Sequence, residues 1–331
     1  MKYRAVVCRE LGPPDVLRIE EIEARPLREG EARVRLHSCG VNFPDLLMVA
    51  GKYQFKPELP FVPGFESAGD VIEVAPGAQA KVGDRVIYKR KTGGFAEQAI
   101  AGPGELSPAP DGYSYDEAAT FTVGFLTAYH ALVTRGRVQP GERVLITGAA
   151  GGVGLAAVAI ARHIGAEVVA AASSTEKCLA TAGAGAAHTI DTSRRRIDEA
   201  VKDITDGRGV DCVYDPVGIP AEIALRVLSW GGRILLIGFA GDIPTYPANR
   251  ILMKGATVIG VRAGEHARHF PEARVAEAPE IQKLTKVIRP YVSKTYPLEQ
   301  AARALMDIAE RKAIGRIVLR PAPLSFKRGQ A

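Results

Sequence analysis

The sequence predicts an α/β protein of two domains, a β-rich barrel-like one and a doubly wound parallel sheet. Three observations predict this class. Residues 1–120 carry short apolar or alternating runs separated by Gly/Pro punctuation. From Arg143 the rhythm changes to alternating strand and helix patterns, with six strands. At the change stands Arg143-Val-Leu-Ile-Thr-Gly148-Ala-Ala-Gly151-Gly152-Val-Gly154, an apolar run that breaks into glycines and opens an Ala-rich stretch free of Pro and Gly until Gly165.

In the first domain the predicted strands are Ala5 to Cys8, Leu17 to Glu20, Ala32 to Ser38, Ala68 to Val74, Arg85 to Tyr88 and Phe95 to Ile100. Punctuators such as Pro63-Gly64 and Gly93-Gly94 lie between them, the spacing of a compact barrel. One helix, about Asn42 to Ala50, is closed by Gly51, and another starts near Tyr115. In the second domain, strands at Val144 to Thr147, Glu167 to Ala172, Ala187 to Ile190, Val210 to Tyr214, Arg233 to Ile237 and Thr257 to Val261 alternate with helices. Such alternation implies right-handed crossovers and a ligand where the strand order reverses. Helices near Ala278 to Ile288 and Leu298 to Arg311, and a last strand Gly315 to Leu319, return to the first domain; Pro321 to Ala331 reads as disordered. The expected division is 1–124 with 265–331, and 125–264.

With 331 residues, each domain is large enough for its own core. Hydrophobic content of 47% and charged content of 24% are ordinary for a globular protein. The net charge of +6 comes largely from scattered basic residues, and one tight run, Arg194-Arg195-Arg196, reads as an exposed helix start. No nucleic-acid motif accompanies it, so an anionic cofactor is the simpler partner and general solubility the alternative. Cys8, Cys39, Cys178 and Cys212 lie far apart without a C-x-x-C, which argues against a disulfide framework or structural zinc and fits a reducing compartment. No apolar run approaches a membrane span, and no signal-peptide core follows Met1, so the expectation is a cytosolic protein.

The glycine cluster carries the chemistry. A strand, a tight turn and a helix N-terminus aim backbone amides and a positive dipole end at whatever sits over the turn. Glycines let a pyrophosphate approach without an intervening side chain. Ala149 occupies the first glycine position of the usual G-x-G-x-x-G pattern, and a helix start merely packed on the sheet is the bland alternative.

Taken together, these features resemble the medium-chain dehydrogenase/reductase superfamily, specifically its zinc-independent quinone oxidoreductase (zeta-crystallin-like) branch. The stretches that carry the resemblance are Gly40-Val-Asn42-Phe-Pro-Asp45, Gly51-Lys-Tyr53, Pro63-Gly-Phe-Glu66-Ser-Ala-Gly69, Gly83-Asp84-Arg-Val86, Thr127-Ala-Tyr129, Gly148 to Gly154, Asp215-Pro-Val-Gly218 and Gly231 to Gly238. It implies a GroES-like catalytic domain and a Rossmann domain. Zinc-dependent relatives have ligands where this chain has Asn42 and Phe65 and near Val123, and Glu66 alone cannot hold a catalytic zinc. Glu265, His266 and His269 place two imidazoles on one helix face, but a solvated surface helix is the better reading.

The resemblance implies a nicotinamide dinucleotide touching Tyr53, Thr127, Ala150, Gly151, Gly152, Val153, Ile237, Gly238, Phe239, Ala240, Val261, Arg262 and Ala263. Thr127 also suits a helix-packing role, Phe239 a core role and Tyr53 simple rim packing. NAD-preferring sites place an acid at the end of the second strand, where it bonds the ribose and repels a 2′-phosphate. Here the chain reads Ser173-Ser174-Thr175-Glu176-Lys177, with hydroxyls, room and a cation, and Glu176 falls where a first helical turn favours an acid for its own sake. NADP(H) is the expected cofactor, although Lys177 also suits a plain exposed helix position. Relatives often have Tyr or His near position 192 to cover the adenine ribose; Thr192 weakens that contact.

Without a metal, a hydride acceptor must delocalise its own developing charge, which points to a small-molecule quinone or α,β-unsaturated carbonyl. Asn42 as a donor to the substrate oxygen, Tyr53 as donor or proton source, and Asp45 as the orienting group are the candidate catalytic residues; Asn42 also suits an N-cap. A zinc-free alcohol or carbonyl dehydrogenase and a non-catalytic NADPH-binding protein are the alternative readings. Relatives pair the last Rossmann strand edge to edge, here about Ala256 to Val261, so a homodimer is expected.

Overall fold

The structure, a computed structural model, describes residues 2–321. The chain forms two compact units, Met1–Thr122 completed by the chain from Tyr291 on, and Val123–Pro290. In the first, β1 (Lys2–Val7) pairs antiparallel with β2 (Arg18–Glu23). β3 (Ala32–Val41) runs into α1 (Phe43–Val49), followed by β4 (Glu66–Val74), β5 (Arg85–Lys89), β6 (Gln98–Ala101) and β7 (Leu106–Pro108). The inward residues Val34, Leu36, Val41, Val71 and Val86 of these strands share one core with Phe95.

α2 (Tyr115–Tyr129) continues as one π-helical turn, His130–Arg135, before the second unit's sheet begins. There the chain alternates: β8 (Arg143–Ile146), α3 (Gly152–Ile164), β9 (Glu167–Ala172), α4 (Thr175–Gly183), β10 (His188–Asp191), α5 (Ile197–Ile204), β11 (Val210–Asp215), α6 (Ala221–Val227), β12 (Leu228–Leu236), α7 (Ala248–Lys254) and β13 (Thr257–Gly260). The sheet is wholly parallel in the order β10-β9-β8-β11-β12-β13, so the strand order reverses at β8. Val144, Leu145, Ile146, Val169 and Val213 are buried, as expected of strands covered on both faces.

The segment 265–290, grouped by the sequence with the first domain, packs in the second unit as α8 (Ala263–His269) and α9 (Pro271–Leu284). The reason is visible in one contact: Glu277 on α9 lies 2.7 Å from Nδ1 of buried His130 and accepts from Thr134. α9 starts well before the expected Ala278, with Pro271 in its first turn and Pro279 inside it. β14 (Val292–Pro297), α10 (Ala301–Ala309) and β15 (Arg316–Arg320) then complete the first unit's sheet, in the order β14-β15-β3-β4-β5-β7 with β6 also paired to β3. The disorder expected for Pro321 to Ala331 falls, from residue 322 on, outside the described residues. No helix among the described residues is long and apolar enough to cross a membrane.

Candidate functional site

In the second unit the site is built on the turn after β8. Gly148 adopts φ 52°, a left-handed conformation, and a Cβ there would lie 2.7 Å from Val217 Cγ2. Its carbonyl accepts the Gly151 N–H at 3.0 Å, and Gly151 caps α3. A Cβ on Gly154 would lie 2.4 Å from the Gly148 oxygen and 2.6 Å from the Ala149 oxygen, so only glycine lets α3 sit this close to the turn. The first-turn amides of Gly152, Val153 and Gly154 have no acceptor within the helix by its geometry, and the dipole adds positive potential there. Ala150 is buried and Gly151, Gly152 and Val153 are half-buried, so the turn offers backbone rather than side chains.

The turn after β11 locks against this one through Asp215, whose role the sequence reading did not find. Asp215 is fully buried; Oδ1 accepts from Thr147 Oγ1 at 2.6 Å and from the Val217 and Gly218 N–H groups at 3.0 Å each, and Oδ2 accepts from Ile219 N–H at 2.9 Å. An acid ending a strand just before Pro-x-Gly was the available signal.

The remaining cofactor candidates of this unit gather at the C-terminal ends of neighbouring strands, where doubly wound sheets bind ligands. After β9, Lys177 Nζ donates to Ser173 Oγ at 3.0 Å while Ser174 Oγ caps α4 by accepting the Lys177 N–H at 3.3 Å. Thr192 is held there by its N–H on the Ala172 oxygen at 2.8 Å. Past β12, Ile237 N–H bonds the Asp215 oxygen at 2.9 Å and Ala240 N–H the Pro216 oxygen at 3.3 Å, which carries Gly238 and Phe239 between them. Phe239 is 41% exposed, so it is not a core aromatic. Val261 N–H on the Leu236 oxygen at 2.9 Å places Val261, Arg262 and Ala263 at the end of β13. Thr127 is half-buried on α2 in the same unit.

The first unit holds a separate buried polar cluster. Asp45 is fully buried, and its carboxylate accepts Asn42 N–H at 2.9 Å and Gly64 N–H at 3.0 Å, tying the start of α1 to the loop before β4. Burial raises its pKa to about 7 despite these two donors, with the nearby Glu66 charge adding to the rise. Asn42 is 3% exposed; Nδ2 donates to the Gly40 oxygen and to Glu66 Oε1, both at 3.2 Å, and Oδ1 accepts from Arg316 Nη2 at 2.8 Å. Arg316 also pairs with Glu66. Both ends of the Asn42 amide are therefore engaged inside the unit rather than presented as a free donor. Tyr53 is half-buried, edge-to-face on Phe65 with ring centroids 5.7 Å apart. Arg316 escaped the sequence reading because it stands at the start of a short apolar strand, far along the chain from Glu66.

His266 is not a simple solvated helix residue. Its ring lies 4.5 Å from that of His130 and 4.9 Å from Phe270, so α8 uses it for packing. Burial lowers the His130 pKa against the opposing pull of Glu277.

Comparison with known proteins agrees with this geometry. The Alcohol dehydrogenase GroES-like domain family matches residues 28–134 and the Zinc-binding dehydrogenase family residues 152–277. The quinone oxidoreductase-like protein 2 homolog of Nematostella vectensis is 38% identical over 96% of this chain and 88% of its own. The chain belongs to the medium-chain dehydrogenase/reductase family, in its quinone oxidoreductase branch. Among solved structures, a probable oxidoreductase from Mycobacterium abscessus has a TM-score of 0.88 at 34% identity, covering 97% of this chain and 99% of its own. The quinone oxidoreductase of Thermus thermophilus, also crystallised with NADPH, has a TM-score of 0.82 at 33% identity, covering 96% and 99%. The fold is thus GroES-like plus Rossmann-type, and the protein is an oxidoreductase of the nicotinamide-dependent class.

A zinc ion, implied by one family description, does not fit the residues present. Around Glu66 stand the Asn42 amide and the Arg316 guanidinium, a weak ligand and a cation. No group of three or more His, Cys, Asp or Glu suited to a metal occurs among the described residues.

Proposed function

We propose that the protein is an NADPH-dependent reductase that transfers hydride, without a metal, to a quinone or α,β-unsaturated carbonyl. The observation that carries this reading is the environment of Glu66, where Asn42 and Arg316 complete a hydrogen-bonded cluster with no zinc donor set. An acceptor that spreads developing charge through its own conjugation needs no Lewis acid. Bound NADPH supplies the hydride.

The chain's own residues bind and orient. The amides of Gly152 and Val153 at the start of α3 receive the pyrophosphate, and Gly154 keeps the helix against the turn. Ser173 and Lys177 offer a hydroxyl and a cation to a 2′-phosphate, which supports NADPH over NADH. Thr127, Ile237 to Ala240 and Val261 to Ala263 line the nicotinamide half. Asp45 positions the loop that carries Asn42, and Tyr53 is the candidate proton source for the reduced acceptor. Asn42 then acts through the shape it gives this loop. β13 forms an edge of its sheet, which supports a homodimer through that strand. Four buried cysteines, none in a disulfide, support a cytosolic setting.

The test is NADPH oxidation with 1,4-benzoquinone, butenone, an enoyl-CoA and cyclohexanone in parallel, with and without a chelator. Turnover of the conjugated acceptors that survives chelation is expected. Turnover of cyclohexanone alone would point to a carbonyl dehydrogenase, and tight binding with no turnover to a non-catalytic role.

A further inference from the structure

We propose that His130 is a positioning residue for the cofactor site: its neutral imidazole docks α8 and α9 and thereby fixes residues 261–263 at the start of α8. The proposal rests on the cofactor reading above, in which those residues line the nicotinamide half. Val261 N–H is held on the Leu236 oxygen at 2.9 Å, and the Arg262 carbonyl accepts the His266 N–H at 2.8 Å. The stretch is therefore tied to the sheet at one end and to α8 at the other. α8 has only seven residues, of which Ala263 alone is buried, so neither length nor an apolar stripe holds it in place. It carries the His266 ring, which lies 4.5 Å from the ring of His130. α9 reaches the same imidazole through Glu277, whose Oε1 lies 2.7 Å from Nδ1. His130 itself is 1% exposed and opens a π-helical turn, a distortion that often marks a functional position.

This imidazole is arranged to carry one proton. Nδ1–H donates to Glu277, and Nε2 is a buried atom without a hydrogen-bond partner among the described residues. A second proton on Nε2 would be a buried donor with no acceptor. The charged and titratable groups around the ring are Glu277 from α9, His266 from α8 and Arg135 from the same turn. Burial, with His266 and Arg135 behind it, lowers the His130 pKa below its ordinary 6.5 against the pull of Glu277. Tyr129, next in the chain, faces Glu280 and Glu277; burial and these charges raise its pKa, so it stays a neutral phenol. The docked state thus binds fewer protons than a state in which the helices have left His130. Docking is complete above pH 6.5 and weakens as pH falls below it.

The experiment measures dissociation constants of NADP+ and 2′,5′-ADP by calorimetry across mildly acidic to neutral pH for the wild type, His130→Asn and His130→Ala. Both ligands carry the 2′-phosphate, so the ratio of their constants cancels its titration and isolates the nicotinamide half. In the wild type the advantage of NADP+ over 2′,5′-ADP should fall about tenfold between neutral pH and one unit below the ordinary histidine value. His130→Asn, whose amide keeps a donor for Glu277 and does not titrate, should hold the advantage constant, and His130→Ala should show the reduced advantage at every pH. Hydrogen exchange of residues 263–284 in the wild type, corrected for intrinsic rates, should rise in step on acidification, and this arm stands even where a variant fails to fold. Tight NADP+ binding with a pH-independent ratio in the wild type overturns the proposal and leaves the cofactor reading intact. So does the wild-type pH dependence retained in His130→Asn. A wild type that binds NADP+ at no pH overturns both.

Discussion

The Arg316 guanidinium donates to the Asn42 amide oxygen at 2.8 Å, across the full length of the first unit's sequence. The same nitrogen pairs with Glu66, and both charged residues are buried. Arg316→Met should leave the buried Glu66 carboxylate without its arginine and cost about 3–5 kcal/mol in urea unfolding of the first unit. Adding Glu66→Gln should recover part of that loss, since the second charge is then gone. Equal stability of the single and double variants would mean that Glu66 neutralises itself by taking a proton.

Asp45 makes stability fall with pH. Its folded value of about 7 lies above the ordinary 3.8, so the folded state binds more protons than the unfolded state between these values. The stabilisation from this proton is fully present below about pH 4 and is lost as pH rises toward 7, at up to about 1.4 kcal/mol per pH unit. Thermal unfolding from pH 4 to 8 should show this downward component in the wild type. Asp45→Asn removes the titration, so its midpoint should vary less over the same range. Identical pH profiles for the two proteins would place the Asp45 carboxyl at an ordinary value.

Much of this architecture is legible in the residues because local chemistry and global fold agree. The six-strand alternation and the turn at Gly148 follow from periodicity and glycine placement, while Thr192 and Ile237 at the strand ends were legible only through the family resemblance. What escaped are features decided by distant partners. β14 is a polar, largely exposed strand that exists because β15 offers it an edge. α7 buries none of its residues, so no amphipathic stripe announces it. The engagement of Asn42 by Arg316 joins residues that no local pattern connects. For the same reason the sequence groups α9 with the first domain, although His130 holds it in the second unit.

Asp215 ties the end of β8, through Thr147, to the turn after β11. Asp215→Ala removes the acceptor for three backbone N–H groups and for Thr147 in a buried site. The expected cost is about 3 kcal/mol or more, since each buried donor left unpaired costs roughly 1–3 kcal/mol before relaxation. NADPH affinity should fall about tenfold through displacement of the Gly148 turn, while Asp215→Asn should keep most of both. Chemical unfolding and calorimetric NADPH binding check the two parts separately. Wild-type cofactor affinity in a destabilised Asp215→Ala protein would disconnect the two turns.

Two glycines on successive helices should respond in opposite directions to the same substitution. A methyl group at Gly154 would meet the Gly148 and Ala149 carbonyl oxygens at 2.4 and 2.6 Å, and neither oxygen can yield without moving the turn proposed to receive the pyrophosphate. Gly154→Ala should therefore cost about 1–3 kcal/mol and weaken NADPH at least tenfold. At Gly183, the last residue of α4, a Cβ meets nothing within 4 Å. Gly183→Ala should stabilise the fold by up to about 1 kcal/mol and leave NADPH binding as it was. Thermal unfolding and NADPH titration of both variants decide the matter. Unchanged NADPH affinity in Gly154→Ala would mean that α3 can withdraw from the turn without losing the pyrophosphate, and the close seating of its first turn would no longer explain cofactor binding.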